Sequence, residues 1–350
     1  MSRIPVAVLG ATGTVGQKLV RLLDQHPWFE VAFVTASGAN AGKPYGEAVR
    51  WREPVPIPER AAGLVLGDSG RPAGVPLAFS ALDTQAAVEL EPLWAAAGAM
   101  IVTNASPLRM APDVPLVVPE INARHLGLLD RQRKERGWRG GVVANPNCTT
   151  TGLVLALAPL EAAFGIDRLF VSTMQAISGA GWPGVASLDI LGNVIPFIGG
   201  EEEKVERETR KILGRLDGRD IVEAPVVVSA HTNRVPVIDG HTETVSIGFR
   251  RPASPEEVVA ALESWRPEPP IAALPSTPER PVLVETRPDR PQPRLDLERG
   301  GGMSAVVGRI RPCPLLHVRF VVLSHNTVRG AAGATIQNAE LLVSAGVVAR

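Results

Sequence analysis

The most constraining feature of the sequence is a glycine-rich turn between a short apolar run and an amphipathic helical pattern near the start of the chain. The apolar run covers residues 4–9, and the helical pattern places Val15, Leu19, Leu22 and Leu23 on one face. Glycines allow a tight turn and a close approach to a pyrophosphate, and the helix N-terminus supplies free N–H groups. A glycine-rich turn without a ligand is the alternative. The residues predicted to bind a dinucleotide are Gly10, Thr12, Gly13, Thr14, Val15 and Gly16.

Short apolar runs alternate with helical patterns through the rest of the first half. The predicted strands cover residues 31–35, 77–81, 100–103 and 141–144, and the predicted helices cover residues 14–25 and 84–97. Strand and helix alternating at this spacing predict βαβ units. The fold class is therefore α/β, with an N-terminal Rossmann-type doubly wound parallel sheet.

The pattern changes near Cys148, after which longer strands alternate with helices and indicate a second, α+β domain. These strands are predicted at residues 168–174, 221–228, 242–249 and 318–323. Residues 267–293 are rich in proline and predict a surface connection. We expect a nucleotide-binding domain over residues 1–147, to which a C-terminal helix in 329–350 returns, and a second domain over 148–328.

Composition excludes several classes of protein. The 36 basic side chains balance 36 acidic ones, so charge gives no reason to expect a nucleic-acid or membrane-surface partner. The two cysteines form neither a disulfide framework nor a CxxC zinc motif, and no metal site is expected. No stretch reaches the roughly 20 apolar residues of a spanning helix. Without a secretory signal pattern at the N-terminus, we expect a cytoplasmic protein.

The loop after the second predicted strand favours NADP over NAD. NAD sites place Asp or Glu there to bind the ribose 2′-hydroxyl. Residues 35–43 contain no carboxylate, whereas Ser37 and Lys43 suit a 2′-phosphate. These residues are ordinary loop residues in the alternative interpretation.

Cys148 is the candidate nucleophile, because it follows a predicted strand and Pro146-Asn147 at the start of an apolar helical pattern. A helix N-terminus stabilises a thiolate, and its N–H groups hold an oxyanion formed on an acyl group. The alternative is a small buried hydrophobe, which is the interpretation we give to Cys313.

Several motifs together resemble the aspartate-β-semialdehyde dehydrogenases, and more closely their archaeal and fungal type. They are the turn at residues 10–16, Asn-Ala-Ser-Pro-Leu-Arg-Met at 104–110, Pro-Asn-Cys-Thr-Thr at 146–150, Gln-Ala-Ile-Ser-Gly-Ala-Gly at 175–181, Arg234 with Gly-His-Thr-Glu at 240–243, and Asn326 with Gly-Ala-Ala-Gly at 330–333. Their order and spacing match along nearly the whole chain, residues 267–293 excepted.

The resemblance implies a role for each matching residue. It implies that the second domain is the catalytic and dimerisation domain. It also implies that His241 is the acid/base group and that Gln175 orients the acyl group. Arg109 and Lys204 are expected to bind phosphate, Arg234 the substrate carboxylate, and Glu203 the amino group, with Glu201 and Glu202 as alternatives. Surface solvation is the alternative for each arginine, and a favourable charge at a helix start is the alternative for the glutamates. The resemblance also assigns Asn147, Ser178 and Gly179 to the substrate, and Asn326 and Gly333 to the cofactor.

The spacing of Arg234 and His241 raises a geometric question. If they flank a two-residue hairpin, their Cα atoms lie about 13 Å apart at roughly 3.3 Å per residue. One small substrate then requires a looser connection or the full reach of the arginine. The other histidines have surface or structural interpretations: His26, His125, His231, His317 and His325.

The reaction implied is reductive dephosphorylation of L-aspartyl-4-phosphate to aspartate-4-semialdehyde by NADPH, in lysine, threonine and methionine biosynthesis. Cys148 forms a thioester, hydride transfer gives a thiohemiacetal, and His241 assists its collapse. The alternatives are the N-acetylglutamyl-phosphate reductases and the malonyl-CoA reductases. The former usually carry Gly-Cys-Tyr at the nucleophile. A non-catalytic NADP-binding regulator is disfavoured, since Cys148 and His241 are both present. The resemblance implies a homodimer or homotetramer that buries the second domain's sheet.

Overall fold

A parallel six-stranded sheet forms the first half of the protein in this computed structural model, which describes residues 3–349. Its strands run in the order β3-β2-β1-β4-β5-β6. They are β1 (Ile4–Leu9), β2 (Phe29–Ala36), β3 (Leu66–Asp68), β4 (Leu77–Ser80), β5 (Met100–Thr103) and β6 (Gly141–Ala144). The order reverses between β1 and β4, where doubly wound sheets bind dinucleotides beyond the carboxyl ends of the strands. The predicted Rossmann-type sheet is confirmed.

Helices connect these parallel strands. They are α1 (Thr14–Leu23), α2 (Tyr45–Ala48), α3 (Glu59–Ala62), α4 (Thr84–Ala97), α5 (Pro119–Asn122) and α6 (Leu128–Arg136). The bounds of α4 follow from its caps: the Asp83 side chain accepts the Ala86 N–H at 2.9 Å, and Gly98 ends the helix at φ 110°.

A mixed six-stranded sheet forms the second half, in the order β10-β7-β11-β14-β13-β12. Its strands are β7 (Ile166–Gln175), β10 (Val227–Arg234), β11 (His241–Phe249), β12 (Val282–Glu285), β13 (Ala305–Pro312) and β14 (Val318–Ser324), with β8 (Arg215–Asp217) and β9 (Asp220–Val222) in a separate ribbon. Burial alternates along β7, where Val171 and Thr173 are buried while Phe170 and Met174 are exposed on the other face. The predicted α+β character is confirmed.

One long helix, α7 (Cys148–Phe164), unites the two sheets. Its apolar residues, such as Leu153 and Leu157, belong to one core cluster with Leu9 of the first sheet and Val322 of the second. The remaining helices are α8 (Ser187–Ile190), α9 (Glu201–Ile212), α10 (Pro255–Ser264), α11 (Pro269–Ala272), α12 (Pro293–Asp296) and α13 (Gly333–Ser344).

The C-terminal helix α13 contacts α1, β4 and β5 of the first half. Just before it, the buried Arg329 donates to both oxygens of Glu120 in α5, at 2.9 and 2.8 Å. Residues 1, 2 and 350 of the predicted domains lie outside the described residues.

Two sequence predictions were wrong. Residues 221–228 form no single strand, because they divide between β9 and the start of β10. Residues 267–293 are more than a surface connection, since β12 pairs in parallel with β13 and buries Val282. The partners of β10 and β12 lie far along the chain, so local pattern did not indicate these two strands, whereas β9 pairs with β8 across residues 218–219.

Candidate active site

Cys148 begins α7 and faces a histidine. Asn147 caps the helix by accepting the N–H groups of Thr149 and Thr150 at 2.9 and 3.2 Å. The Cys148 Sγ lies 3.2 Å from His241 Nε2. A thiol at a helix N-terminus within hydrogen-bond reach of an imidazole is the arrangement of an activated nucleophile.

Arg234 and His241 reach this site because β7 lies between their two strands. The hairpin considered from the sequence is therefore wrong: β10 is parallel to β7, β11 is antiparallel to it, and residues 235–240 cross the end of β7. The Ala176 N–H, just beyond β7, donates to His241 Nδ1 at 3.1 Å, and the Ala176 carbonyl accepts from Arg234 Nη1 at 2.7 Å. The 13 Å separation does not apply.

A carboxylate and two amides lie beside the cysteine. Glu201 Oε1 accepts from Asn147 Nδ2 at 2.7 Å and from Gln175 Nε2 at 3.0 Å, and Lys204 Nζ lies 3.3 Å from Glu201 Oε2. Burial by itself raises the pKa of Glu201, but these hydrogen bonds outweigh burial and hold that pKa below its ordinary value. Glu203, two residues on, is exposed. The structure therefore brings Glu201, rather than Glu203, to the centre of the site.

Arg109 is held by a buried carboxylate that the sequence did not single out. Glu208 Oε1 accepts from Arg109 Nη1 at 3.0 Å, while its Oε2 accepts the Asn147 N–H at 2.6 Å. Lys211 Nζ donates to the Arg109 carbonyl at 2.7 Å. The only sequence signal for Glu208 and Lys211 is their helical spacing from Glu201 and Lys204, which puts them on one face of α9.

A cleft of about 390 Å³ opens beside this group. Its lining includes Ser106, Arg109, Lys204 and Arg207, with the carboxylates of Glu203 and Glu208. Three cationic side chains lining one cleft suit a phosphate group. Arg207 is a further lining residue that the sequence analysis missed.

The resting pair is a thiol and a neutral imidazole. Burial raises the pKa of the Cys148 thiol to about 12, the charge of Glu201 adds to the shift, and Arg109 and Arg234 oppose it. Burial lowers the pKa of His241 to about 3, with Arg234 acting in the same direction. A ligand that neutralises Glu201 therefore favours the thiolate.

Ser178 and Gly179 follow Ala176 at the rim of the site. A Cβ added at Gly179 would lie 3.0 Å from Arg234 Nη1 and 3.2 Å from His241 Cε1, so the glycine lets both side chains approach the main chain. Asn326 Nδ2 donates to Ser178 Oγ at 2.8 Å.

The glycine-rich turn has the shape that a pyrophosphate requires. Gly10 has a φ of 71°, and a Cβ there would lie 2.7 Å from the Ala81 carbonyl oxygen. Gly16 packs directly against Gly10, while Gly13 is exposed at the start of α1, whose N-terminus has no side-chain cap. Its N–H groups, with Thr12, Thr14 and Val15 half-buried around them, fit the phosphates of a dinucleotide.

The other predicted cofactor residues differ in placement. Ser37 and Lys43 are exposed in the loop after β2. β2 pairs with β1, the strand that leads into the glycine-rich turn. Gly333 is buried between Met303 and Val328, and this packing alone accounts for the glycine.

Two of the other histidines and the second cysteine have structural surroundings. His26 is buried against Glu340 at 2.8 Å, His125 bonds Asn122 and the Gly214 carbonyl, and Cys313 is buried. Within residues 3–349, no helix is long and apolar enough to cross a membrane. The same residues contain no cluster of three or more His, Cys, Asp or Glu side chains placed to hold a metal ion.

Comparison with known proteins identifies relatives along the whole chain. Residues 5–129 match the family described as "Semialdehyde dehydrogenase, NAD binding domain", and residues 157–329 match "Semialdehyde dehydrogenase, dimerisation domain". The chain is 50% identical over 347 residues to an aspartate-semialdehyde dehydrogenase of Archaeoglobus fulgidus, covering 99% of this chain and 100% of the other. It is 43% identical over 357 residues to that of Saccharomyces cerevisiae, covering 97% and 98%. The crystal structure of the Candida albicans aspartate-semialdehyde dehydrogenase with NADP aligns at a TM-score of 0.91 and 41% identity, covering 99% and 100%.

Proposed function

The chain belongs to the aspartate-semialdehyde dehydrogenase family, and on that premise we propose that Cys148 carries the NADPH-dependent reductive dephosphorylation of L-aspartyl-4-phosphate to L-aspartate-4-semialdehyde. The class of oxidoreductase, the NADP cofactor and a place in amino-acid biosynthesis follow from the membership. The relatives do not favour reduction of N-acetylglutamyl phosphate or malonyl-CoA.

The observation that carries this proposal is the 3.2 Å contact between Cys148 Sγ and His241 Nε2 at the N-terminus of α7. Arg109 and Arg234 are close enough to Cys148 for their charges to lower its pKa. A nucleophile flanked by two guanidinium groups suits a substrate that carries an anion at each end, as aspartyl phosphate does.

The substrate lies, in this proposal, between the two arginines. Arg234 binds the α-carboxylate, Glu201 the ammonium group, and Arg109 and Lys204 the phosphate in the cleft. The ammonium group neutralises Glu201, which removes one of the influences that keep Cys148 protonated. Substrate binding therefore promotes the attack of sulfur on the acyl carbon.

Release of phosphate leaves a thioester on Cys148. NADPH, when bound at the glycine-rich turn, supplies the hydride that reduces the acyl carbon. The positive end of the α7 dipole stabilises the oxygen that gains charge, while Asn147 holds the start of that helix in place. Gln175 orients the acyl group, and His241 faces the reacting sulfur. Ser37 and Lys43 are assigned to the 2′-phosphate.

The proposed domain division is residues 1–147 with 329–350, and residues 148–328. It is supported by the separation of the two large sheets and by the contacts of α13 with the first. Phe170, Met174 and Val227 are exposed on the face of the second sheet, which supports a homodimer or homotetramer that covers this face. Small-molecule chemistry and a free catalytic thiol, which a reducing compartment preserves, support a cytoplasmic location.

The proposal is tested by following NADPH formation in the reverse direction from aspartate semialdehyde, NADP and inorganic phosphate. Omission of any one of the three is expected to abolish steady turnover. Replacement of phosphate by coenzyme A distinguishes the acyl-CoA reductase alternative. Turnover with coenzyme A but not with phosphate would overturn the proposal.

A further inference from the structure

The cleft beside Arg109 is built from two segments that lie far apart in the sequence. One wall is the loop at residues 104–114, which follows β5 and contributes residues 106, 107, 109 and 110. The other wall is the start of α9, which contributes residues 200, 203, 204, 207 and 208. The fit of an anion in the cleft therefore depends on what fastens the loop to α9.

Lys211, in the last turn of α9, makes that connection. Its buried ammonium group donates to the carbonyl oxygens of three loop residues, Arg109 at 2.7 Å, Ala111 at 2.9 Å and Val114 at 2.9 Å. An ammonium group has three N–H donors and no acceptor, so all of its donors are used within this one loop. Hydrogen bonds from an ionised donor are roughly twice as strong as neutral ones, which makes Lys211 a firm attachment.

We propose that Lys211 is a positioning residue for the phosphate site: it fastens the loop at residues 104–114 to α9 and thereby presents the Arg109 guanidinium to the cleft. The inference deepens the proposed function and rests on it, because the anion is the phosphate of the substrate or, in the reverse direction, inorganic phosphate. Since the ammonium is buried and bonds main-chain carbonyls, Lys211 acts through Arg109 rather than on the anion.

The side chain of Arg109 is held separately from its main chain. Nη1 donates to Glu208 at 3.0 Å, and Nη2 donates to the Asn104 carbonyl at 2.7 Å. Glu208 precedes Lys211 by three residues and lies on the same face of α9. One helix thus holds both the guanidinium and the main chain of Arg109, so a loop that moves away from α9 tilts the guanidinium. A misplacement of about 1 Å in a binding group is enough to cost about 100-fold in rate.

Lys211 is charged at neutral pH. Burial lowers its pKa to about 8, while the negative charges of Asp113 in the loop, Glu208 in α9 and Glu223 before β10 oppose that shift. A pKa near 8 leaves the ammonium as the main form at neutral pH, with all three of its donors. Methionine has a side chain of similar length but no donor, and it would leave the three carbonyls without this partner.

Lys211→Met tests the inference in the reverse reaction. We expect the KM for phosphate to rise at least about tenfold because the Arg109 guanidinium shifts, while the KM for aspartate semialdehyde stays within about threefold of wild type. Arg210→Met is the matched control, since it removes a cation from the neighbouring position of α9, where Arg210 pairs with Glu223 at 3.1 Å. We expect wild-type KM values from this control. An unchanged phosphate KM in Lys211→Met, or equal rises in both KM values, would overturn the inference.

A double-mutant cycle shows whether Lys211 acts through Arg109. In the Arg109→Ala background, Lys211→Met is expected to change the KM for phosphate by less than about twofold, because the guanidinium that the loop presents is gone. A further rise of about tenfold in the double variant would overturn the inference. If Lys211→Met does not fold, Lys211→Gln, which keeps an amide donor for a loop carbonyl, replaces it in the same cycle with a smaller expected rise.

Phosphate binding measured without turnover separates this inference from the proposed function. Phosphate in the cleft is expected to slow the alkylation of Cys148 by iodoacetamide, and half-protection of Lys211→Met is expected to need at least about tenfold more phosphate. Equal protection of the variant and the wild type would overturn this inference alone. Wild-type turnover with coenzyme A but not with phosphate would overturn the proposed function instead, and a wild type that phosphate does not protect would contradict both.

Discussion

Gly330 packs directly against the candidate nucleophile, and Gly330→Ala tests whether the position of Cys148 limits the rate. The glycine lies in a turn of π-helix, Val328–Ala332, with a φ that alanine tolerates. A Cβ there would lie 2.6 Å from Cys148 Cβ and 2.8 Å from its Cα. The atoms that must give way therefore include main chain at the start of α7.

The expected effect on activity is larger than that on stability. Carbon atoms in contact prefer about 3.5–4.0 Å, so the turn and Cys148 must separate by roughly 1 Å. A misplacement of about 1 Å at a reacting group costs about 100-fold in rate. Overpacking costs about 1–3 kcal/mol of folding stability, offset by up to about 1 kcal/mol of helix propensity gained from glycine to alanine.

The assay is NADPH formation from aspartate semialdehyde, NADP and phosphate, beside a thermal unfolding scan. Gly63→Ala is the matched control, because Gly63 has a φ of −80° and a Cβ there would meet nothing closer than the Arg60 carbonyl oxygen at 3.9 Å. We expect wild-type turnover from the control. A kcat for Gly330→Ala within about threefold of wild type would refute the proposed sensitivity to sulfur position.

Three further predictions concern residues assigned by the sequence. Cys148→Ala is expected to abolish turnover while leaving NADP binding intact, and activity above about a hundredth of wild type, measured in the same assay, would exclude a covalent role. Ser37→Asp is expected to weaken NADPH binding by about 1–3 kcal/mol, because the new carboxylate repels the 2′-phosphate; a fluorescence titration measures this. An equal loss of NADH binding would show that this loop does not distinguish the two cofactors. Arg109→Ala is expected to raise the KM for phosphate and Arg234→Ala that for aspartate semialdehyde, by roughly 30- to 1000-fold, since each loses a charge-assisted contact. Unchanged KM values would contradict both assignments.

The first half of the fold was predictable because its signals are local. Glycines 10, 13 and 16 mark the turn, and the predicted bounds of β5 and α4 agree with the structure. Each strand there is a short apolar run separated from the next by a helix or loop. The edge strand β12 was missed because its pairing with β13 depends on residues about 20 positions away.

The site was predictable in its residue types but not in its geometry. Cys148 and His241 were named from motifs, whereas their contact depends on β7 entering between β10 and β11. The choice between Glu201 and Glu203 depends on which face of α9 meets Asn147, and three consecutive glutamates carry no such signal. Glu208 was missed because a buried carboxylate shared by Arg109 and a main-chain N–H has no sequence motif.

Acylation of Cys148 is the central claim, and a rapid-mixing experiment without phosphate tests it most directly. Enzyme mixed with aspartate semialdehyde and NADP is expected to form one NADPH per active site in a burst and then stop, because the thioester has no acceptor. Mass spectrometry of the quenched protein is expected to find the aspartyl group on the peptide containing Cys148, and added phosphate is expected to restart turnover. A missing burst, or a burst that persists in Cys148→Ala, would contradict the account.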